Sequence, residues 1–188
     1  MVRAGHPNDA LKFFQLGGLW ASKSTLRAGD SRLPTIIAWL TLNSATAYAL
    51  MGGLDEVTRY LARAHEGWEP RDAFERGAMD RATAAIHLDL GQLDTAEQLA
   101  VSALRTYTGN HCRARTTAQL LLAEVHVRAG EPQGLMLARQ AIDAVRTLHS
   151  VAVRRERLIP LVAALEARPS TDTRELARTA RQIAATRA

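Results

Sequence analysis

The stretch Ala85 to Leu104, AIHLDLGQLDTAEQLAVSAL, decides how the chain is read. It reads as two helices joined by a tight turn at Gly91. Before the glycine, Ala82, Ile86 and Leu90 share one helical face; after it, Ala96, Ala100 and Ala103 line a second stripe at helical spacing. Asp94 stands where a helix N-cap belongs, and Glu97, three residues on, is placed to reach back in the manner of a capping box.

Outward from this hairpin the pattern recurs at a period of 39 residues. Glycines stand at Gly52, Gly91 and Gly130, and the next step reaches Pro169, another helix-ending residue. Seven positions earlier come Ala45, Ala84, Ala123 and Val162; four earlier come Tyr48, His87, His126 and Leu165. Three positions later stand Asp55, Asp94, Gln133 and Asp172, mostly good N-caps. Five later come Val57, Ala96, Leu135 and Arg174, so the apolar rule fails only in the last copy. Several aligned positions at one period define a repeat, where a single glycine spacing would not.

The N-terminus echoes part of the unit. Arg3-Ala4-Gly5-His6-Pro7 parallels Arg128-Ala129-Gly130-Glu131-Pro132, and Asn8, Ala10, Phe14 and Gly17 follow at second-helix offsets. The expectation is a chain that begins halfway through a repeat, leaving an apolar face on its first helix for a partner or a longer parent chain to cover. The whole pattern predicts an all-α chain with about nine antiparallel helices, near 8–27, 34–51, 55–66, 71–90, 94–107, 112–129, 133–148, 151–167 and 172–186. Residues 28–33 and 67–70 are breaks, and Pro160 is expected to kink the eighth helix or mark a late start. A single domain over 1–188 follows: a half repeat and loop over 1–33, hairpins over 34–70, 71–108 and 109–148, and a degenerate capping hairpin over 149–188.

Composition agrees. Hydrophobic residues make up 47% of the chain but aromatics only 5%, so the core must be built from Ala, Leu and Val, which let helices approach closely. The single cysteine, Cys112, cannot form an internal disulfide, and a reducing compartment is the simple reading. No apolar run approaches the roughly 18 residues of a bilayer span, and residues 1–8 are too polar for a signal peptide. The expected location is cytoplasmic. The net charge of +5 is concentrated at the C-terminus, where residues 154–188 hold eight arginines against four acids, against sixteen bases and fifteen acids before them.

Ala45, Tyr48, Gly52, Val57, Leu61 and Ala64, and then Ala84, His87, Gly91, Ala96, Ala100 and Ala103, resemble the order of small, aromatic and glycine positions in the tetratricopeptide repeat (TPR). The period is 39 rather than about 34, and Thr41, Asp80 and Gln119 replace the early tryptophan, so a TPR-like α-solenoid of longer helices fits better than the consensus. The stretches LGGLWASKSTLRAGDSRLP, WLTLNSATAYALMGGLDEV and WEPRDAFERGAMDR, with the tail ALEARPSTDTRELARTARQIA, resemble the C-terminal repeat region of actinobacterial helix-turn-helix transcriptional regulators of the XRE type. That resemblance implies an effector, oligomerisation or protein-binding domain of a regulatory system. DNA contact is expected only through a missing or separate module.

Transfer of TPR groove positions by register points to Trp39, Leu42, Asn43 and Thr46, to Arg81 and Ala85, and to Thr117, Leu120 and Glu124, with Arg128 at the lip. Trp39 offers apolar area and Arg81 a partner for a peptide carboxylate. The carboxylate-clamp arrangement of some TPR domains needs lysines and asparagines that only Asn43 supplies, so that mode is rejected. His87 and His126 are read as packing residues, His111-Cys112 as bystanders, and Trp20 and Trp68 as packing or loop anchors. No cofactor, metal or membrane partner is expected, and no catalytic constellation such as G-x-S-x-G or H-E-x-x-H occurs. The alternative function is nucleic-acid binding: Arg174, Arg178 and Arg181 share one side of the last helix and are spaced to follow phosphates. A solvated end cap is the competing reading of that helix.

Overall fold

The computed structural model describes residues 6–23, 32–66, 68–148, 150–168 and 170–185. The expected break over 28–33, Gly67, Pro169 and the N-terminal echo over 3–5 fall partly or wholly outside them. Among the described residues all regular structure is helical: α1 (Pro7–Lys23), α2 (Leu33–Met51), α3 (Leu54–His65), α4 (Ala73–Asp89), α5 (Leu93–Thr106), α6 (Cys112–Ala129), α7 (Gln133–Arg146), α8 (Val151–Val153), a π-helical segment Arg154–Leu158, α9 (Ile159–Glu166) and α10 (Thr171–Ala185). None of these helices is long and apolar enough to cross a membrane.

The 39-residue spacing is written into the backbone. Gly52, Gly91 and Gly130 are the positive-φ glycines among the described residues, at 79°, 74° and 78°. At each, the amide one residue beyond the glycine donates to the carbonyl four residues before it: Gly53 to Tyr48 at 3.0 Å, Gln92 to His87 at 2.9 Å and Glu131 to His126 at 3.1 Å. This is the Schellman closure, which satisfies a terminal helix carbonyl and requires the left-handed conformation that glycine adopts without cost. Ala45, Ala84 and Ala123, seven residues before each glycine, are fully buried.

Helix starts depart from the expected capping. α3, α5 and α7 begin at Leu54, Leu93 and Gln133 behind Gly53, Gln92 and Pro132, and none of these flanking residues caps through its side chain. Asp55 and Asp94 therefore lie inside the first turn, where the helix dipole favours them. Glu97 consequently does not complete a capping box. At α10 the cap is Ser170 rather than Asp172: Ser170 Oγ accepts from the Thr173 amide at 3.1 Å, and Thr173 Oγ1 accepts from the Ser170 amide at 3.0 Å.

Pro160 stands in the first turn of α9, which starts at Ile159. It lacks the N–H that an α-helical turn would direct to Glu156, and the chain ahead of it widens to a π turn in which the Ile159 amide donates to the Arg154 carbonyl.

The chain divides into two compact units, Met1–Arg71 with Asp89–Gly91, and Asp72–Leu88 with Gln92–Ala188. In the first, α1 packs on α2 and α2 on α3. Gln15 Nε2 ties all three, donating to the hydroxyls of Tyr48 at 3.3 Å and Tyr60 at 3.2 Å, whose rings lie 5.1 Å apart. In the second, Ala84, Ala85 and Leu88 of α4, Ala96 and Ala100 of α5, and Leu121 and Val125 of α6 form one cluster. A larger one joins Leu120 and Ala123 of α6, Ala141 and Ile142 of α7, Leu161 and Leu165 of α9, and Leu176 and Ala180 of α10. Alanine, leucine and valine supply nearly all of both clusters, as the scarcity of aromatics requires.

Candidate binding site

Arg81 of α4 and Thr117 of α6 meet in one open hollow of about 450 Å³ in the second unit. Phe74, His111, Arg113, Glu156 and Arg157 also line it. Phe74 stands seven residues before Arg81, two helical turns away on the same face. Its ring lies 4.7 Å from that of His111 and 5.8 Å from that of Tyr107, which makes an aromatic wall. Thr117 Oγ1 donates to the Arg113 carbonyl at 2.8 Å, and Arg113 projects from the same helix one turn earlier. The π segment sets Glu156 and Arg157 against the opposite edge.

The hollow carries a net positive lining. Burial raises the Tyr107 phenol above its ordinary value, while the nearby Arg81 guanidinium acts in the opposite direction. Arg81 and Arg113 supply forked donors suited to a carboxylate, and Phe74 and His111 supply a flat apolar face beside them.

The other expected groove residues are placed differently. Leu42, Ala85 and Leu120 are core residues, buried with their neighbours. Glu124 is only 2% exposed, and its Oε1 accepts from Arg128 Nη2 at 2.5 Å. Arg128 also donates to the Leu88 carbonyl at 3.3 Å, so this pair braces α6 against α4. In the first unit Trp39 is half-buried, Asn43 Nδ2 donates to the Trp39 carbonyl at 2.8 Å, and Thr46 Oγ1 donates to the Leu42 carbonyl at 3.2 Å. Both polar groups are turned onto their own helix.

The first unit carries a separate apolar surface. Phe13, Leu16 and Trp20, at i, i+3 and i+7 of α1, are exposed, Phe13 by 63% and Trp20 by 73%. With Gly17, Leu33 and Ile36 they border a groove of about 470 Å³. Trp20, expected to pack, is thus largely in solvent. Trp68 is half-buried and lies edge-on to His65, with centroids 6.4 Å apart.

Of the C-terminal arginines, Arg154 and Arg157 are buried, and Arg157 borders the hollow described above rather than an exposed basic face. Arg174, Arg178 and Arg181 share the exposed side of α10, but Arg181 Nη2 is paired with Glu166 at 2.5 Å, and Arg174 Nε donates to the Ser170 carbonyl at 3.2 Å.

Comparison with known proteins finds no match: no protein-family model, curated protein or solved structure is similar to the chain.

Proposed function

We propose that the chain is a non-enzymatic, TPR-like helical-repeat module that binds a protein or peptide as part of a transcriptional regulatory system. In this reading it works in the cytoplasm and reaches DNA only through a separate module. The regulatory context rests on the sequence resemblance, and the solenoid arrangement rests on the 39-residue period with its recurring left-handed glycines. The observation that carries the binding role is the convergence of Arg81, Arg113 and Thr117 beside Phe74 and His111 in one open hollow. The ligand this favours is a peptide segment presenting an acidic side chain next to an apolar or aromatic one. Pull-down with wild type and Arg81→Glu tests it: the variant is expected to lose the partner, and equal recovery would remove the hollow from the binding reaction.

A second reading, self-association, is favoured by the exposed Phe13, Leu16 and Trp20 face. Its register explains the geometry. Counted from the turn glycines, Phe13 and Leu16 occupy the positions of Tyr60, which packs on Tyr48, and of Ser102, whose Oγ donates to Asp80 at 2.7 Å. In those two copies this side of the second helix faces the first helix of the same hairpin. Sedimentation at several concentrations distinguishes the outcomes: a concentration-dependent dimer weakened by Trp20→Glu is expected, and a monomer throughout excludes it.

A further inference from the structure

We propose that Glu97, His126 and Glu131 form a divalent-cation site, selective for zinc over magnesium, that clasps α5 to α6. His126 is 4% exposed, and each of its ring nitrogens faces a carboxylate. On one side Nδ1 lies 2.5 Å from Glu131 Oε2, which also accepts from Gln133 Nε2 at 2.8 Å. On the other, Nε2 lies 3.6 Å from Glu97 Oε1, and one donor atom from each of the three residues falls within 4.8 Å of the others.

The two contacts differ in kind. The short one is a hydrogen bond: a carboxylate only accepts, so Nδ1 donates to Glu131, with Gln133 Nε2 3.2 Å away, and in that tautomer the Nε2 lone pair points at Glu97. Two acceptors then face one another across 3.6 Å, and they repel unless positive charge lies between them. The 3.6 Å separation is close to the roughly 3.4 Å between two ligands on a tetrahedral ion with bonds near 2.1 Å. His126 Nε2 and Glu97 thus act as direct ligands and Glu131 as the carboxylate that orients the imidazole, the arrangement common around protein-bound zinc. The half-exposed carboxylates leave an entry path and room for waters to complete the shell.

The repeat itself supplies the control. It accounts for a histidine at this position but not for the carboxylates: His87, one period earlier, has Gln92 Oε1 on its Nδ1, and Thr58 stands at the register position of Glu97. Imidazole and carboxylate together favour zinc, whereas magnesium prefers oxygen ligands and keeps its water.

The test is calorimetric titration of Zn²⁺ and Mg²⁺ into the chelator-treated full chain, with thermal midpoints at saturation. One equivalent of zinc and a midpoint raised by about 5–10 °C are expected. Glu131→Gln should weaken binding about 10–100-fold and Glu97→Gln by more, with His87→Asn and Cys112→Ser matching wild type. Absence of zinc binding, undiminished binding in Glu97→Gln, loss in Cys112→Ser, or an equal response to magnesium would each overturn the site. None of these outcomes depends on the peptide-binding hollow.

Discussion

Replacing the turn glycines with alanine separates a backbone cost from a packing cost at equivalent points of the repeat. At Gly91, with φ 74°, an added Cβ meets nothing within 4 Å, so the penalty is that of the left-handed conformation alone. That is about 1–2 kcal/mol for an L-residue, or a fall in midpoint of roughly 2–4 °C per kcal/mol for a chain of this size. At Gly130, with φ 78°, the same atom would lie 2.1 Å from Arg168 Nη1 and 2.7 Å from its Cζ. The guanidinium must swing away and give up its 2.7 Å bond to the Arg128 carbonyl. Loss of that bond adds about 1 kcal/mol, so Gly130→Ala should cost roughly 2–3 kcal/mol in total. Urea denaturation of both single variants, and of Gly130→Ala in an Arg168→Ala background, measures the two parts. In that background the Gly130 penalty should shrink to the Gly91 value. A neutral or stabilising Gly91→Ala would refute the backbone argument, and an unchanged Gly130 penalty in the Arg168→Ala background would refute the packing argument.

Other outcomes follow from single contacts. Gly134→Ala should destabilise by about 1–3 kcal/mol, because its Cβ would lie 2.9 Å from the backbone of His126 and Val127, which cannot rotate away as a side chain can; wild-type stability in denaturant would contradict this. Since burial raises the Tyr107 phenol, the neutral form is favoured in the fold: its contribution is intact below the unfolded value near 10 and is lost as pH rises through the higher folded value. Alkaline unfolding should therefore be blunted in Tyr107→Phe, and identical pH profiles would exclude Tyr107 as its source. For the arginine helix, a gel shift at low salt is expected to show no DNA or RNA complex, since Arg181 is already engaged by Glu166; salt-sensitive binding lost in Arg174→Ala would restore the nucleic-acid reading.

The hairpins were legible because the first helix of each, α2, α4 and α6, runs into a glycine whose role is local. A left-handed closure needs only the residues within one turn, so Gly52, Gly91 and Gly130 could be read as equivalent from spacing alone. The caps were less legible for a related reason. An aspartate near a helix start satisfies both the N-cap preference and the dipole preference, and sequence does not separate a side chain that bonds an orphan amide from one sitting a residue further in. The π turn before Pro160 was missed because the proline signals only that one hydrogen bond cannot form. How the neighbouring carbonyl is accommodated depends on packing around Leu158 and Leu161, both fully buried in the larger core.

The site was legible only where a family register could be transferred, and the register fails wherever a side chain has a stronger local partner. Glu124 and Arg128 lie one helical turn apart and satisfy each other, which withdraws Glu124 from the groove. Arg81 has no acid at i±4, because Gly77 and Ala85 stand there, and it reaches the hollow. That difference could have been drawn from sequence by asking which polar residues lack a helical neighbour of opposite charge. Phe74 carried a weaker signal, sharing a face with Arg81 at i, i+7, whereas Arg113, His111 and Glu156 are brought in by tertiary packing that no local spacing encodes. The same logic separates the two histidines. They are equivalent in the repeat, but His126 is enclosed by carboxylates from α5 and from the turn after α6, while His87 meets a neutral glutamine. Repetition fixed where a histidine belongs, and divergence of the residues around it set what that histidine can hold.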